Sequence, residues 1–542
     1  MDRRRFLLVS AASATLAGCS KLSFLEQAPA INYPGMRDGH WLRDGRALPP
    51  PSGEIVTDVA ILGSGVAALT AAWKLSRAGF HRFVVMSGPE FGGNAAGGRF
   101  GELGFPRGAH YIPLPSIESV HVREILADLG LLSGDPMAAR PYFDETALVH
   151  APEARIYYDG KWQEGVLPTQ GVSAQDLAEQ NRFFKYVESL KQTKGADGKR
   201  VFCIPIELCS TDPEWRALDA ATFKQWLEQQ HYASPVLHWY LDHVCRDDYG
   251  ASYDQVSAWA GLHYFASRAG HARNAEDGAV LTWPDGLNAM ITRMSEAIDR
   301  RRRGTEPWRR AGFAARVQER AAGVEIVCLQ REASAVRSFV IRAKRAICGM
   351  PLLVAARVVP QLADYGFDAR AHMPSYAPWM VSNFLMRRFP QEQEGSALSW
   401  DNLLYRGRGL GYVVSTHQDI RVARPAQTVF SAYQALSRRK PAEVRKWLTS
   451  AGARELYDEA ACDLSEVYGF RFPLHVQALD ITVRGHAMAS PLRGFLDNPG
   501  LQALRAADRR ILFAHSDLSG YSVFEEAAWW GYQAARKVLG SA

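Results

Sequence analysis

A short glycine-containing loop is the first place in the sequence where residue types and spacing indicate chemistry. The apolar run 59–62 predicts a buried parallel strand, and helical spacing resumes a few residues later. In such a unit one glycine permits the turn, a second lets the backbone approach a phosphate, and a small third residue keeps the helix close to the strand. Free N–H groups at the start of the helix attract an anion. The sequence therefore predicts a dinucleotide site at Gly63, Ser64, Gly65, Val66, Ala67 and Ala68.

The residues after this loop extend it into a βαβ unit. A turn at Gly79 is followed by the run 82–86, in which four apolar residues follow Arg82, and this predicts a second buried strand. Small residues at this spacing also occur where a helix only packs closely on a sheet. The second strand, at the usual distance, favours the dinucleotide site over that alternative.

Polar and glycine residues follow the second predicted strand. The strand lacks a final Asp or Glu to bind a ribose, so Ser87 or Glu90 is predicted to take the ribose hydroxyls. Gly92, Gly93 and Asn94 either bring more backbone N–H groups to the diphosphate or form a plain loop.

A second strand, loop and helix lie near the C-terminus, over residues 511–535, with Asp517 in the loop. Together with the glycine loop, this stretch resembles the flavin-containing amine oxidase and phytoene desaturase superfamily. In that superfamily an acid after the strand binds the flavin ribityl chain, and the next helix directs its N-terminus at the flavin. The resemblance implies FAD as the cofactor, with contacts from Asp517, Glu525, Glu526 and Ala527.

The same resemblance covers most of the chain from residue 58 onward, including the segments 105–111, 283–286, 345–351 and 485–488. It implies an α/β fold in which a Rossmann-type FAD-binding domain with a GxGxxA loop is interleaved with a mixed α+β substrate or cap domain. We predict the FAD-binding domain at 55–112, 271–354 and 482–542, and the cap domain at 113–270 and 355–481. In the family the first segment passes near the flavin ring, which makes His110 a site candidate.

Oxidation of an amine by a flavin needs a dry pocket with aromatic faces around the nitrogen. Aromatic residues are dense in the second cap segment, where they form either a cage or ordinary core: Trp379, Trp400, Tyr405, Tyr412 and Tyr433. The predicted catalytic candidates are His110, Trp379, Tyr433 and His486, although His486 also fits a satisfied buried histidine. Asp247 and Asp248 either attract a cationic amine or belong to a solvated turn or helix cap.

Three functions fit these features. The first is an FAD oxidoreductase that removes a hydride from an amine, of the polyamine or amino acid type. The second is a desaturase or isomerase acting on an apolar substrate from a membrane, and the third is a flavoprotein redox partner without a small-molecule substrate. An unpaired acid in the pocket favours amines, and an apolar tunnel favours lipids. Oxygen, a quinone or a cytochrome is expected to reoxidise the flavin.

The N-terminal residues resemble an export signal. Arg3, Arg4 and Arg5 before Phe-Leu resemble a Tat signal, and the sequence 16–19 resembles a lipobox whose Cys19 is lipidated. Tat machinery exports folded proteins, which suits a chain that binds its cofactor in the cytoplasm. We therefore expect a lipid-anchored periplasmic protein, with the outer membrane favoured, a signal over 1–19 and a tether over 20–54.

The composition excludes other classes. With 542 residues, 47% hydrophobic, the chain can bury the cores of about two domains. Cleavage before Cys19 removes three arginines and one aspartate, so the net charge falls from +6 to +4, which does not indicate nucleic acid binding. The other six cysteines form no CxxC or Cys/His cluster, so we predict no metal site and buried thiols, with Cys203 and Cys209 the one pair worth testing as a disulfide.

Overall fold

The computed structural model describes residues 25, 28–302, 307–332, 335–393, 396–420, 423 and 425–540. Its α-helices are α1 (Met36–Arg43), α2 (Val66–Arg77), α3 (Val120–Asp128), α4 (Ala174–Leu190), α5 (Pro213–Arg216), α6 (Phe223–Gln229), α7 (Pro235–Tyr249), α8 (Ala258–Ala266), α9 (Asn288–Arg301), α10 (Leu352–Val358), α11 (Pro441–Ser450), α12 (Ala453–Ala460), α13 (Cys462–Tyr468), α14 (Pro499–Ala506) and α15 (Phe524–Leu539). Short 3₁₀ helices include Gly93–Ala95, Gly469–His475 and Ser516–Ser519.

The strands are β1 (Ala30–Asn32), β2 (Pro51–Leu62), β3 (Phe83–Met86), β4 (Gly97–Phe100), β5 (Leu103–Pro106), β6 (Tyr111–Pro113), β7 (Leu132–Ser133), β8 (Tyr142–Phe143), β9 (Ala154–Tyr158), β10 (Lys161–Glu164), β11 (Val280–Thr282), β12 (Arg309–Arg310), β13 (Phe313–Arg320), β14 (Gly323–Arg331), β15 (Val336–Cys348), β16 (Tyr376–Met386), β17 (Asp401–Leu404), β18 (Tyr412–Val414), β19 (Thr428–Gln434), β20 (Val476–Ala489) and β21 (Ile511–Phe513).

A seven-stranded sheet forms the Rossmann-like part of the molecule. Strands β12, β3, β2 and β15 are parallel neighbours, and β21 joins the far end of β15. Strands β14 and β13 extend the sheet in antiparallel pairing beside the first half of β15. The stretches 59–62, 83–86, 346–348 and 511–513 of these strands are buried apolar runs, because both faces of the sheet are covered there. All of their carboxyl ends meet at one edge, where ligands bind in folds of this type.

An eight-stranded sheet forms the second part, in the order β1, β20, β16, β19, β18, β17, β9 and β10. Strands β9 and β10 come from the first predicted cap segment, and β16 to β19 come from the second, so the two segments build one sheet. The helices α4 to α8 pack around a separate apolar core. This mixed architecture is the cap part of the predicted fold.

Four predicted boundaries fall inside regular elements. The boundary at 54 lies within β2, the one at 112 within β6, the one at 354 within α10, and the one at 481 within β20. The predicted tether is also wrong from residue 30 onward. Ala30–Asn32 pairs with β20, and the helix α1 follows it, so this segment belongs to the fold.

Helix α15 packs directly on α2. A Cβ atom added at Gly531 would lie 2.0 Å from the carbonyl oxygen of Ala67, so only glycine allows this approach. The contact holds the C-terminal helix beside the glycine loop. No described helix is long and apolar enough to cross a membrane, and the described cysteines are all unpaired thiols.

Candidate functional site

The glycine loop joins β2 to α2 as the sequence predicts. Gly63 has a φ of +113°, and a Cβ atom there would lie 3.0 Å from the carbonyl oxygen of Gly349. A Cβ atom at Gly349 would in turn lie 2.9 Å from that of Ala68. Small residues at these positions therefore let the loop, the helix and the end of β15 meet closely.

A cavity of about 1060 Å³ opens at the carboxyl ends of the parallel strands. The predicted cofactor residues that line it are Gly63, Ser64, Gly65, Val66, Ala67, Ser87, Glu90, Gly92, Gly93, Asn94, Asp517 and Ala527. Ala68 lies behind the loop as a packing residue. The cavity thus gathers residues from both predicted strand, loop and helix stretches, and its size suits a dinucleotide.

Ser64, Ser87 and Glu90 are linked around the edge of this cavity. The Ser64 hydroxyl donates to the carbonyl oxygen of Ser87 and accepts from the backbone N–H of Gly92 at 3.3 Å. The Glu90 carboxylate accepts from the Arg484 guanidinium at 2.6 Å. The charge of Glu90 is therefore paired with that of Arg484. Arg484, on β20, also lines the cavity, and it was not among the residues predicted from the sequence.

Asp517 is fully buried beside the end of β21. Its Oδ2 accepts hydrogen bonds from the backbone N–H of Leu352, at 2.8 Å, and from the Tyr376 hydroxyl. Its Oδ1 lies 3.1 Å from Nδ1 of His515, but that nitrogen already accepts the backbone N–H of Asp517. Oδ1 has no hydrogen-bond donor among the described residues. A buried acceptor of this kind, on a cavity wall, is suited to a ligand hydroxyl.

Two predicted cofactor residues at the start of α15 lie elsewhere. The Glu526 carboxylate is buried and accepts from the backbone N–H of Ile206 and from the hydroxyls of Tyr521 and Ser519, so it joins α15 to the first cap segment. Glu525 lines a second, smaller cavity. Of the predicted residues in this helix, only Ala527 reaches the large cavity, because successive helical side chains point in different directions.

The smaller cavity, of about 160 Å³, adjoins the large one. The two cavities share part of their lining, including Asn94, Ala109, Leu287, Arg484 and Ala487. A molecule in the small cavity can therefore contact a dinucleotide in the large one.

Three of the four predicted catalytic residues, His110, Trp379 and Tyr433, line the small cavity. The His110 ring lies 4.5 Å from that of Tyr433 and 5.7 Å from that of Trp400, measured between centroids. Burial lowers the pKa of His110 to about 3, so the imidazole is neutral at physiological pH. The Tyr433 hydroxyl is buried and has no hydrogen-bond partner among the described residues.

Tyr405, Tyr412 and His486 lie apart from this group, whereas Trp400 packs in the same apolar cluster as Trp379 and Tyr433. Tyr412 donates or accepts a hydrogen bond with Tyr468 inside another core, and Tyr405 packs on Trp239. His486 lines the large cavity, and burial, with further contributions from Arg445 and His40, lowers its pKa to about 4. The structure therefore separates His486 from the other predicted catalytic residues.

Among the charged residues of the small cavity, Arg268 pairs with Asp248, Arg484 pairs with Glu90 of the large cavity, and two further acids remain. The Arg268 guanidinium donates to Asp248 at 2.9 Å and to the Tyr111 hydroxyl at 3.2 Å. The carboxylate of Asp247 has no hydrogen bond or ion pair within the described part of the chain, although the charges of Arg268 and Arg246 act on it from a longer distance. Burial raises the pKa of Asp247 to about 7, with a further rise from Asp248, and burial raises the pKa of Glu525 to about 7.

Asp247 and Asp248 belong to helix α7, and the sequence left open whether they lie in a solvated turn or helix cap or attract a cationic amine. Both aspartates line the small cavity, which supports the site reading. Asp401, on β17, is a further buried acid whose charge interacts with that of Asp247. Burial raises the pKa of Asp401 to about 8, and Asp247 adds to the rise. Asp401 and Arg268 were missed because each comes from a segment with no recognisable motif. No group of residues in the described chain could hold a metal ion.

Comparisons with known proteins agree with this architecture. Residues 61–129 match the NAD(P)-binding Rossmann-like domain. No curated protein sequence matches the chain. Similar solved structures are a putrescine oxidase bound to putrescine (16% identity, TM-score 0.62, covering 90% of this chain and 100% of that one) and a cyclohexylamine oxidase from Brevibacterium oxydans IH-35A (16%, 0.58, 90% and 99%). A CLA-producing fatty acid isomerase from P. acnes is also similar (15%, 0.55, 89% and 98%).

At these identities the likeness shows the fold. The chain has a mixed α/β fold with a Rossmann-like dinucleotide-binding domain, matching the folds of FAD-dependent amine oxidases. The predicted fold class is confirmed.

Proposed function

We propose that this chain is an FAD-dependent oxidoreductase that oxidises an amine. The observation that carries the proposal is a small aromatic cavity, with an acid that has no ionic partner, opening onto the dinucleotide cavity. Amine oxidases are among the structures of similar fold, which supports this chemistry.

The residues of the large cavity fit FAD. The loop at Gly63 and Gly65 and the start of α2 would hold the diphosphate, since they offer backbone N–H groups and the positive end of a helix. The free Oδ1 of Asp517 would accept a hydroxyl of the ribityl chain. When bound, FAD supplies the acceptor for the hydride.

The small cavity would bind and orient the amine. An ionised Asp247 attracts the ammonium group, while His110, Trp379 and Tyr433 exclude water around it. Hydride loss requires the neutral amine, so the ammonium must first give up a proton. A carboxylate with a pKa of about 7 accepts that proton at neutral pH, which makes Asp247 the base in this proposal.

Arg268 supports a second candidate. It lines the small cavity beside Asp248 and would bind a substrate carboxylate, as in an amino acid or an unsaturated fatty acid. The similar fold of a fatty acid isomerase supports an unsaturated fatty acid as the alternative substrate. Asp248 already pairs with Arg268 and would compete with a substrate carboxylate for it, whereas Asp247 has no ion-pair partner among the described residues. Both facts favour an amine substrate over a fatty acid.

The site of action is part of the proposal. Residues 1–24, including Cys19, lie outside the described residues. The Tat-like arginines and the lipobox support export and anchoring in the periplasm, with a quinone, a cytochrome or oxygen as electron acceptor. Replacing Cys19 by Ser should move the protein from the membrane fraction to the soluble periplasmic fraction.

Anaerobic flavin reduction tests the catalytic proposal. The purified holoprotein is mixed with putrescine, cyclohexylamine, several amino acids and an unsaturated fatty acid, and the absorbance of the oxidised flavin is followed. Bleaching by an amine supports the proposal. Isomerisation of the fatty acid without bleaching by any amine would replace it with the second candidate. Asp254→Asn, at an exposed acid just beyond α7, is the matched control and should behave as wild type.

A further inference from the structure

One exposed apolar surface lies at the end of the cap sheet, on the 3₁₀ helix Gly469–His475. Phe470 is 87% exposed and Leu474 is 61% exposed, while Phe472 between them is fully buried. Phe470 is the most exposed large apolar residue of the described chain. The buried Phe472 fixes this helix to the core, so the two exposed side chains are held outward on a rigid support.

Cationic side chains surround this surface. Arg471 is exposed, and its guanidinium lies 5.6 Å from the centroid of the Phe470 ring. Arg387 and Arg388 are exposed, and the backbone N–H of Arg387 donates to the carbonyl oxygen of His475. Glu466, on α13, is an exposed acid four positions before Phe470. Apolar side chains flanked by cations are typical of segments that lie in the interface of an anionic membrane.

The direction of β1 brings the N-terminal chain to the same end of the molecule. Strand β1 pairs with β20 in parallel, with Ala30 beside Asp480 and Asn32 beside Thr482. Going backward from Ala30 therefore leads toward Val476, the first residue of β20, which directly follows His475. Leu25 is buried in the apolar core that also contains Phe472 and Val476.

The predicted lipidation site is close to this point. Leu25 lies six positions after Cys19, and an extended chain of that length spans at most about 20 Å. A lipid on Cys19 would thus hold the end of the molecule that carries Phe470 and Leu474 near the bilayer.

We propose that Phe470, Leu474 and the flanking arginines form a second membrane contact, which docks this end of the protein on an anionic phospholipid surface beside the lipid anchor. Two large apolar side chains are too few for a stable protein interface, which buries about 800 Å² on each partner. They suit shallow insertion into a bilayer interface, where buried apolar area and attraction to anionic lipid add to the anchoring given by the lipid.

Vesicle flotation tests this contact without the lipid. The chain starting at residue 19, with Cys19→Ser, is mixed with phosphatidylcholine vesicles with and without phosphatidylglycerol. We expect binding to the anionic vesicles, and a fall of about ten-fold or more in the partition coefficient for the double variant Phe470→Ser, Leu474→Ser. Phe470→Trp should retain binding. Val56→Ser, at a residue 69% exposed on β2, is the matched control and should bind as wild type.

Three results would overturn the proposal. They are equal vesicle binding by wild type and the double variant, an equal loss in Val56→Ser, and no binding to either vesicle type. A doubled mass in light scattering that the double variant abolishes would instead assign this surface to contact between two copies of the chain. Unfolding temperatures of all variants should match, because the substituted side chains are exposed.

Discussion

Replacing Asp247 by Asn should weaken the binding of a cationic amine and leave neutral compounds of the same shape unaffected. The substitution keeps the size of the side chain and removes its charge. Asp247 is the chosen position because it lines the small cavity and has no ionic partner among the described residues, unlike Asp248, which pairs with Arg268.

The expected magnitude follows from the charge and its surroundings. Two opposite charges about 4 Å apart, in a medium with an effective dielectric constant of about 20, attract by roughly 4 kcal/mol. Ionising a carboxyl whose pKa is about 7 costs little at pH 7.5. The Asn carbonyl retains part of the attraction, so we expect a loss of about 2 to 4 kcal/mol. This corresponds to about 30- to 700-fold in affinity.

The assay is the concentration dependence of anaerobic flavin reduction, which gives the dissociation constant of the amine. In the wild type the affinity for the ammonium form should rise about ten-fold per pH unit up to pH 7, then level off. The affinity rises with pH because the pKa of Asp247 is raised to about 7: below pH 7 most of its carboxyl is protonated and does not attract a cation. The variant should lack this rise.

Glu525→Gln is the comparison that can refute this reasoning. Glu525 lines the same cavity and has a pKa raised to a similar value by burial. If that variant loses the affinity and Asp247→Asn changes it by less than about three-fold, the ammonium binds at Glu525 and the assignment to Asp247 is wrong.

Three further predictions follow from packing and charge. Gly531→Val should destabilise the protein by about 3 kcal/mol or more and reduce FAD retention, because its Cβ would clash with the carbonyl oxygen of Ala67; thermal unfolding measures this. Asp401→Asn should stabilise the protein more at pH 9 than at pH 5 in urea unfolding, up to about 6 against 2 kcal/mol. The pKa of Asp401, raised by burial to about 8 in the folded state, means that the wild type loses stability as the pH rises toward 8. Arg484→Gln should raise the dissociation constant of FAD about ten-fold or more, measured by release of flavin fluorescence, because it leaves Glu90 unpaired at the cavity wall.

Matched controls separate these effects from general damage. Gly540→Ala should be neutral, since its nearest neighbour to an added Cβ lies at 3.5 Å. Arg320→Gln breaks an exposed pair with Glu325 and should leave FAD binding unchanged. An Asp401→Asn effect that is the same at pH 5 and pH 9 would show that this carboxyl is ionised throughout.

Local features of the site could be predicted from the sequence because they depend on neighbours in the chain. The loop at Gly63 and Gly65 is set by the strand before it and the helix after it. Asp517 follows a strand in the same way. These residues reach the same cavity because parallel strands end at one edge of the sheet.

Pairs brought together by the fold could not be predicted. Arg484 binds Glu90 across 394 positions, and Glu526 binds the backbone of Ile206 across 320. Arg268 lines the cavity only because α8 ends beside α7. The supposed tether was misread because β1 is three residues long, too short to show a pattern, and gains its place by pairing with β20.

The most direct test of the proposed function is a single anaerobic mixing experiment with the holoprotein and an amine deuterated at the carbon beside the nitrogen. The oxidised flavin should bleach, and deuterium should slow the bleaching, because the hydride leaves that carbon for the flavin. A holoprotein whose flavin is reduced by dithionite but by none of the amines tested would show that amine oxidation is not the function.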